Sequence, residues 1–309
     1  MIDILLATYN GEKYLPNLLS SIENQTYKEW TLIVSDDSST DGTLEILDEF
    51  SRKFDNKVQI YQNKNGGAKN NFFSMLKYVK HEYIMFCDQD DIWLSNKLSV
   101  MINIMMKTEQ NLGLCTPILV ASDLKVVDAE LNIISSSFYE YSDFNYNFSI
   151  NQLMCQNKIP GCSMMFNKSL YHLASKELET RYICMHDSWF SLLAAIFGEI
   201  VFINEQLILY RQHEANSVGA SKDDSINKII KKLLNSNQIR KENMDRIIEV
   251  KYLYELYNKD MELNKKQIVE KFANLYKASR WKYRFMCIKN KFLKFPLKRM
   301  IIQLIYCHR

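Results

Sequence analysis

Three carboxylates stand within four residues in Cys87-Asp88-Gln89-Asp90-Asp91-Ile92-Trp93, directly after the apolar run Tyr83-Ile84-Met85-Phe86. Like charges crowded in this way repel one another unless a cation neutralises them. Asp88 and Asp90 have D-x-D spacing, which on an extended segment points both side chains one way and Gln89 the other. Hard divalent cations such as Mg²⁺ or Mn²⁺ take oxygen ligands of this kind, and Mg²⁺ commonly adds substrate phosphates. The competing role is a helix N-cap, with Asp91 or Ser95 starting the helix that carries Leu98 and Ile102. Capping needs one acid rather than three, so both roles fit.

Five further clusters have chemical capacity, each beside a plainer role. In Thr8-Tyr9-Asn10-Gly11 the tyrosine ring suits stacking on a flat base, while Asn-Gly is also a turn signal. In Asp36-Asp37-Ser38-Ser39-Thr40-Asp41-Gly42 a carboxylate suits a pyrimidine imide or a ribose hydroxyl, and the same residues make turns and caps. Lys69-Asn70-Asn71 opens a helix after Gly66-Gly67, where a cation and free backbone N–H groups suit a diphosphate; a solvated lysine is the alternative. In His186-Asp187-Ser188-Trp189, Asp187 has the chemistry of a general base that His186 would tune, or of a helix cap. In Tyr210-Arg211-Gln212-His213, Arg211 suits phosphate and His213 a metal, against a purely structural histidine.

The elements that must position these groups alternate. Strands are predicted at 4–6, 31–34, 58–61 and 83–86. Between them lie helical repeats at Leu15, Leu18, Leu19 and Ile22, at Leu44, Leu47 and Phe54, and at Phe72, Met75, Leu76 and Val79. Such alternation predicts an α/β fold with a mostly parallel sheet between two helical layers, and ligands beyond the carboxyl ends of its strands. The clusters at Thr8, Asp36 and Asp88 would then meet in one crevice. Further strands are expected at 114–121, 162–166, 200–203 and 207–210, with a helix at 189–197. A polar, aromatic loop over the site is expected at 135–150, and a linker at 216–225.

Composition narrows the class. The 309 residues are 47% hydrophobic, ordinary for a globular protein. The first residues lack a basic region and a long apolar run, so no secretory signal is expected, nor is any stretch apolar enough to span a bilayer. Seven scattered cysteines without a C-x-x-C pair argue against a disulfide framework or a zinc knuckle and suit a reducing cytoplasm. From Lys277 to Arg309 there are ten Lys or Arg and no acid, whereas the whole chain carries only +3, so the remainder is net acidic. That tail, with Trp281, Tyr283, Phe285, Ile288, Phe292 and Phe295, suits an anionic membrane surface. Packing on the preceding domain or on a second subunit, as in a homo-oligomer, is the alternative. Nucleic acid is disfavoured by the acidic remainder.

The order of these motifs resembles the inverting family 2 glycosyltransferases with the GT-A fold, over roughly residues 1–220. The D-Q-D-D-I-W form, with Gly161-Cys162-Ser163-Met164-Met165-Phe166-Asn167 and Tyr210-Arg211-Gln212-His213, is most similar to the bacterial rhamnosyltransferase-like subgroup. The resemblance implies a GT-A catalytic domain at 1–220, a mostly parallel mixed sheet flanked by helices, and a helical basic extension at 221–309. It implies that Thr8, Tyr9, Asn10, Asp36, Asp37, Lys69, Asp88, Gln89 and Arg211 bind a nucleotide-sugar. Asp88, Asp90 and His213 would hold Mg²⁺ or Mn²⁺, Asp187 would be the base, and Asp91, Trp93, His186 and Trp189 would face the acceptor. His186 stands where the family usually has Glu. The implied donor is dTDP-L-rhamnose, with a UDP-hexose or UDP-N-acetylhexosamine as alternative. The implied acceptor is a cell-surface polysaccharide or lipid-linked glycan, met at the cytoplasmic face of a bacterial inner membrane. A non-catalytic nucleotide-binding scaffold is the alternative of another class.

Overall fold

The computed structural model describes residues 1–214, except 55, 65 and 177, and residues 236–307. The linker expected at 216–225 lies outside the described residues. Strands β1 (Ile2–Thr8) and β2 (Trp30–Asp36) are buried along nearly their whole length, as unbroken apolar runs in a two-sided sheet must be. Helix α1 (Leu15–Glu23) buries Leu15, Leu18, Leu19 and Ile22, with Pro16 tolerated in its first turn. Helix α2 (Thr43–Lys53), β3 (Val58–Gln62), α3 (Ala68–Met75) and β4 (Tyr83–Asp88) complete the predicted alternation. Next come β5 (Ile92–Trp93), α4 (Lys97–Leu112), β6 (Ile118–Val127), β7 (Ile133–Ser135), α5 (Phe138–Tyr141) and α6 (Ile150–Cys155). They lead to β8 (Met164–Asn167), α7 (Lys168–Ala174), α8 (His186–Phe197) and β9 (Glu199–Arg211).

The strands form one mixed sheet in the order β3-β2-β1-β4-β8-β6-β9-β5, with β7 added on β6. Pairing is parallel from β3 through β4 and again between β6 and β9. It is antiparallel where β8 enters and where β5 and β7 join. The register sets Thr8 beside Asp36 and Ala7 beside Asp88, so three of the polar clusters end at one level of the sheet.

Several boundaries differ from the sequence reading. The strand expected from residue 114 starts at Ile118, since Gly113 ends α4 at φ 90° and Pro117 has no N–H to give a ladder. The strands expected at 200–203 and 207–210 are the single strand β9, whose register on β6 shifts between Ser122 and Lys125. The polar Asn204-Glu205-Gln206 marks an irregular stretch there rather than an end. Segment 135–150 holds the end of β7, α5 and the start of α6 rather than one long loop. Within it Tyr139 is buried, stacking on Tyr146 at 5.1 Å and meeting Phe148 edge-on at 6.0 Å. The Lys158 ammonium donates to the carbonyls of Asn145 and Asn147.

Beyond residue 235 the chain is helical: α9 (Ser236–Tyr257), α10 (Leu263–Ala273), α11 (Arg280–Lys289) and α12 (Leu297–Ile305). Helix α9 buries Ile239, Asn243, Ile247, Val250, Leu253 and Tyr257 along one face. The chain divides into two compact units. One comprises Met1–Phe138, Ile159–Leu178 and Gly198–Ala220, and contains the whole sheet. The other comprises Tyr139–Lys158, Glu179–Phe197 and Ser221–Arg309, so α6 and α8 group with the C-terminal helices. Among the described residues no helix is long and apolar enough to cross a membrane. No disulfide joins the cysteines among the described residues.

Candidate active site

In the sheet unit, the ends of β1, β2 and β4 carry the polar clusters. Thr8 and Asp36 are buried against each other, the threonine hydroxyl donating to Asp36 Oδ2 at 2.9 Å. Asp36 also accepts from the Ser39 N–H and hydroxyl, so it ties down the turn that follows β2. Asp37 stays half-exposed and accepts from the backbone N–H of Gly67 at 2.7 Å and of Gly66 at 3.3 Å. That pairing draws the Gly66-Gly67 turn, and with it Lys69 in the first turn of α3, to the same strand ends. Asn10 accepts from the Thr40 N–H at 2.9 Å and joins the first two loops.

Tyr9 is 58% exposed, a large ring left in solvent at a strand end. Gln89 holds its backbone from both sides: Tyr9 N–H donates to Gln89 Oε1, and Gln89 Nε2 donates to Tyr9 O, each at 2.9 Å. Gly11 makes room for this clamp, because a Cβ there would sit 2.4 Å from Gln89 Oε1. Gln89 therefore connects the acidic run to the tyrosine loop, a link that the D-x-D spacing does not reveal.

The three acids separate by environment. Asp90 Oδ2 meets His213 Nε2 at 2.8 Å. The Tyr14 ring packs 4.7 Å from the His213 ring and 4.5 Å from the Arg211 guanidinium. Arg211, expected to reach phosphate, is buried, and it donates to Asp90 O and Ala129 O at 2.8 and 2.6 Å. These bonds brace the acidic loop. Asp91 is fully buried; its Oδ1 accepts from the Arg211 N–H at 3.1 Å, and its side chain also meets the Cys162 thiol. Burial, then Asp90 and Asp88, push its carboxyl well above the usual range. Asp91 caps no helix, since α4 starts six residues later after Asn96.

Ligand atoms of Asp88, Asp91 and Cys162 lie within 4.8 Å of one another. The carboxylates of this group suit a hard divalent cation. The thiol suits one poorly, because burial pushes it up and keeps it protonated. Lys97 lies under the run, 3.3 Å from the Trp93 ring centroid, and donates to Cys162 O at 2.8 Å. Burial holds its ammonium down to about 8, although the acids nearby favour its charge. Sequence reasoning missed Lys97 and Tyr14, since a lysine at a helix start reads as a surface group.

In the helical unit, His186 and Asp187 form the first turn of α8. His186 is buried and held down to about 3, hence neutral. Asp187 is half-buried, and desolvation pushes its carboxyl up to about 7 despite the Ser188 N–H donated at 2.6 Å and a hydrogen bond with Asn157. Buried Glu249 on α9 accepts from the Ser188 hydroxyl and the Cys184 N–H, and pairs with Arg246 at 2.6 Å. Arg246 also donates to the carbonyls of Leu153 and Met154. No local pattern signals this network, because Glu249 and Arg246 reach these partners across 61 to 93 residues of chain. The four residues expected to face the acceptor, Asp91, Trp93, His186 and Trp189, are all buried.

A polar, partly exposed strand-end site facing a carboxylate-rich loop suits a nucleotide with a diphosphate. Comparison with known proteins agrees. Residues 3–173 match the glycosyl transferase family 2 model. The chain is 30% identical over 227 residues to the dTDP-rhamnosyl transferase RfbG of Shigella flexneri, covering 70% of this chain and 74% of that protein. The fold is similar to that of TarS from S. aureus in complex with UDP-GlcNAc, with TM-score 0.55 at 16% identity, over 94% of this chain and 89% of that one. It is also similar to the mannosyltransferase PcManGT of Pyrobaculum calidifontis in complex with GDP-Man and Mn²⁺, with TM-score 0.54 at 13% identity, over 93% of this chain and 73% of that one. With its motifs at the ends of a GT-A sheet, the chain belongs to glycosyltransferase family 2 and is a glycosyltransferase.

Proposed function

We propose that this enzyme transfers L-rhamnose from dTDP-L-rhamnose, with inversion, to a hydroxyl of a bacterial cell-surface polysaccharide or lipid-linked oligosaccharide. The observation that carries the donor half is the meeting of Tyr9, Asp37, Asp88 and Gln89 at the ends of three neighbouring parallel strands. The choice of rhamnose rests on the 30% identity to a dTDP-rhamnosyl transferase. The catalytic domain is assigned to residues 1–220 and the helical extension to 221–309. The reaction takes place at the cytoplasmic face of the inner membrane.

Tyr9 stacks on the base, and Asp37 accepts from the nucleoside. Lys69 faces the diphosphate. Asp88 and Asp90, with His213, would hold Mg²⁺ or Mn²⁺, which would supply positive charge to offset that of the leaving diphosphate. Ionised Asp187 takes the proton from the acceptor hydroxyl. The acceptor oxygen forms its bond to the anomeric carbon as the bond to the phosphate oxygen breaks. The electron pair leaves with dTDP, and a β-linked donor yields an α-rhamnoside.

Asp187→Asn tests this reading. Transfer should fall by about two to four orders of magnitude, while calorimetry finds dTDP binding unchanged; wild-type turnover would remove Asp187 from the chemistry. Asp90→Ala should weaken donor binding only when metal is present. A melting-temperature panel of dTDP- and UDP-sugars with Mg²⁺ or Mn²⁺ separates the donors, and stabilisation by a UDP-sugar alone would sink the rhamnose assignment.

A further inference from the structure

Helices α11 and α12 are tied together by polar contacts, and each turns one buried face inward. Arg284 Nε donates to Leu304 O at 2.8 Å, and the Gln303 amide accepts from Lys294 N–H at 2.8 Å and donates to Phe292 O at 3.1 Å. Tyr283, Cys287 and Gln303 are buried there. The opposite faces are apolar and open to solvent. On α11, Trp281, Phe285 and Ile288 recur at i, i+4 and i+7 and are 79%, 62% and 60% exposed. On α12, Leu297, Ile301 and Ile305 recur every four residues and are exposed as well. Apolar stripes of this kind on two adjoining helices mark an interaction surface.

Charge selects the occupant. Lys282 and Lys289 are exposed beside the α11 stripe, and Lys291 is exposed just past the helix end, within a segment, Lys277 to Arg309, that has ten cations and no acid. A second copy presenting the same face would bring like charges together. A nucleic acid would neutralise the lysines but leave the apolar stripes in water. An anionic bilayer satisfies both, since lysines reach headgroup phosphates while aromatic and aliphatic side chains enter the acyl boundary. At ten and nine residues the helices are too short to span and would lie in the plane of the interface.

We propose that α11 and α12 form a docking face for a phospholipid bilayer with anionic headgroups. The proposal deepens the membrane-side acceptor assigned above and rests on that reading. The test is sedimentation of the full-length protein with vesicles of phosphatidylglycerol and phosphatidylethanolamine, against vesicles of phosphatidylcholine. Binding is expected to the anionic vesicles alone, with loss at high salt. Replacing Lys282 and Lys289 with Gln should weaken it about thirtyfold, from the attraction of two cations. Trp281→Ser with Phe285→Ser should weaken it by a similar factor. Both variants should keep the wild-type melting temperature. Equal binding to neutral vesicles, no binding, or vesicle binding untouched by both variants would overturn the proposal. So would self-association that the stripe variant abolishes without any change in vesicle binding. No donor or turnover enters the measurement, so its failure is distinguishable from failure of the Asp187 chemistry.

Discussion

Desolvation pushes the Asp187 carboxyl up to about 7, so near neutrality only part of the population has the ionised form that accepts a proton. The sign follows directly. The base acts when deprotonated, so transfer rises with pH through about 7 and levels off above it, which a pH profile of kcat/KM reads. His186, held neutral by burial, should add no second inflection in the range from about pH 5 to 9. Gly11 carries a different expectation. A methyl group there collides with Gln89, frees the Tyr9 backbone from its clamp and should raise the donor KM about tenfold. Tyr9, Asp88 and Asp187 were legible as site candidates because each stands in a motif with regular spacing. Arg211 was legible only as a cation; its bracing contacts to Asp90 and Ala129 depend on chain brought in from far away.

The first turn of α8 depends on α9 through Glu249. Removing one partner of a buried ion pair strands the other, so Glu249→Gln should destabilise the protein by about 3 to 5 kcal/mol. Replacing Arg246 and Glu249 together with Met and Leu should recover only part of that loss, because the Cys184 N–H and the Ser188 hydroxyl lose their acceptor, as urea midpoints of the single and double variants would reveal. Gly198, just before β9, meets Pro117 O so closely that a Cβ would lie 1.7 Å from it. Gly198→Ala should cost about 3 kcal/mol through backbone displacement, measured by the same titration. The long apolar strands were legible as elements because burial on both faces leaves a continuous run. The two-residue β5 and the irregular β9 were not, because pairing partners rather than local pattern define them.

Over the whole molecule, ligand linkage gives a global readout. The preferred donor with metal, at about a hundred times its dissociation constant, adds about 2.7 kcal/mol and should raise the melting temperature by about 5 °C. The sequence by itself determined the family, the strand–helix alternation and the order of the acidic, nucleoside-type and base motifs, since all of these are written in local spacing. It also determined the basic, aromatic composition of the tail. Only the tertiary structure decided that Gln89 clamps Tyr9, that Asp91 and Lys97 are buried, and that Glu249 fastens the turn bearing Asp187. It likewise decided that Trp281 and Phe285 line the outer face of α11 and aliphatic side chains that of α12, while Tyr283 and Phe292 are buried. The physical reason is that burial, and the pKa shifts and ion pairing that follow from it, belong to a residue's surroundings, which distant chain segments supply on folding.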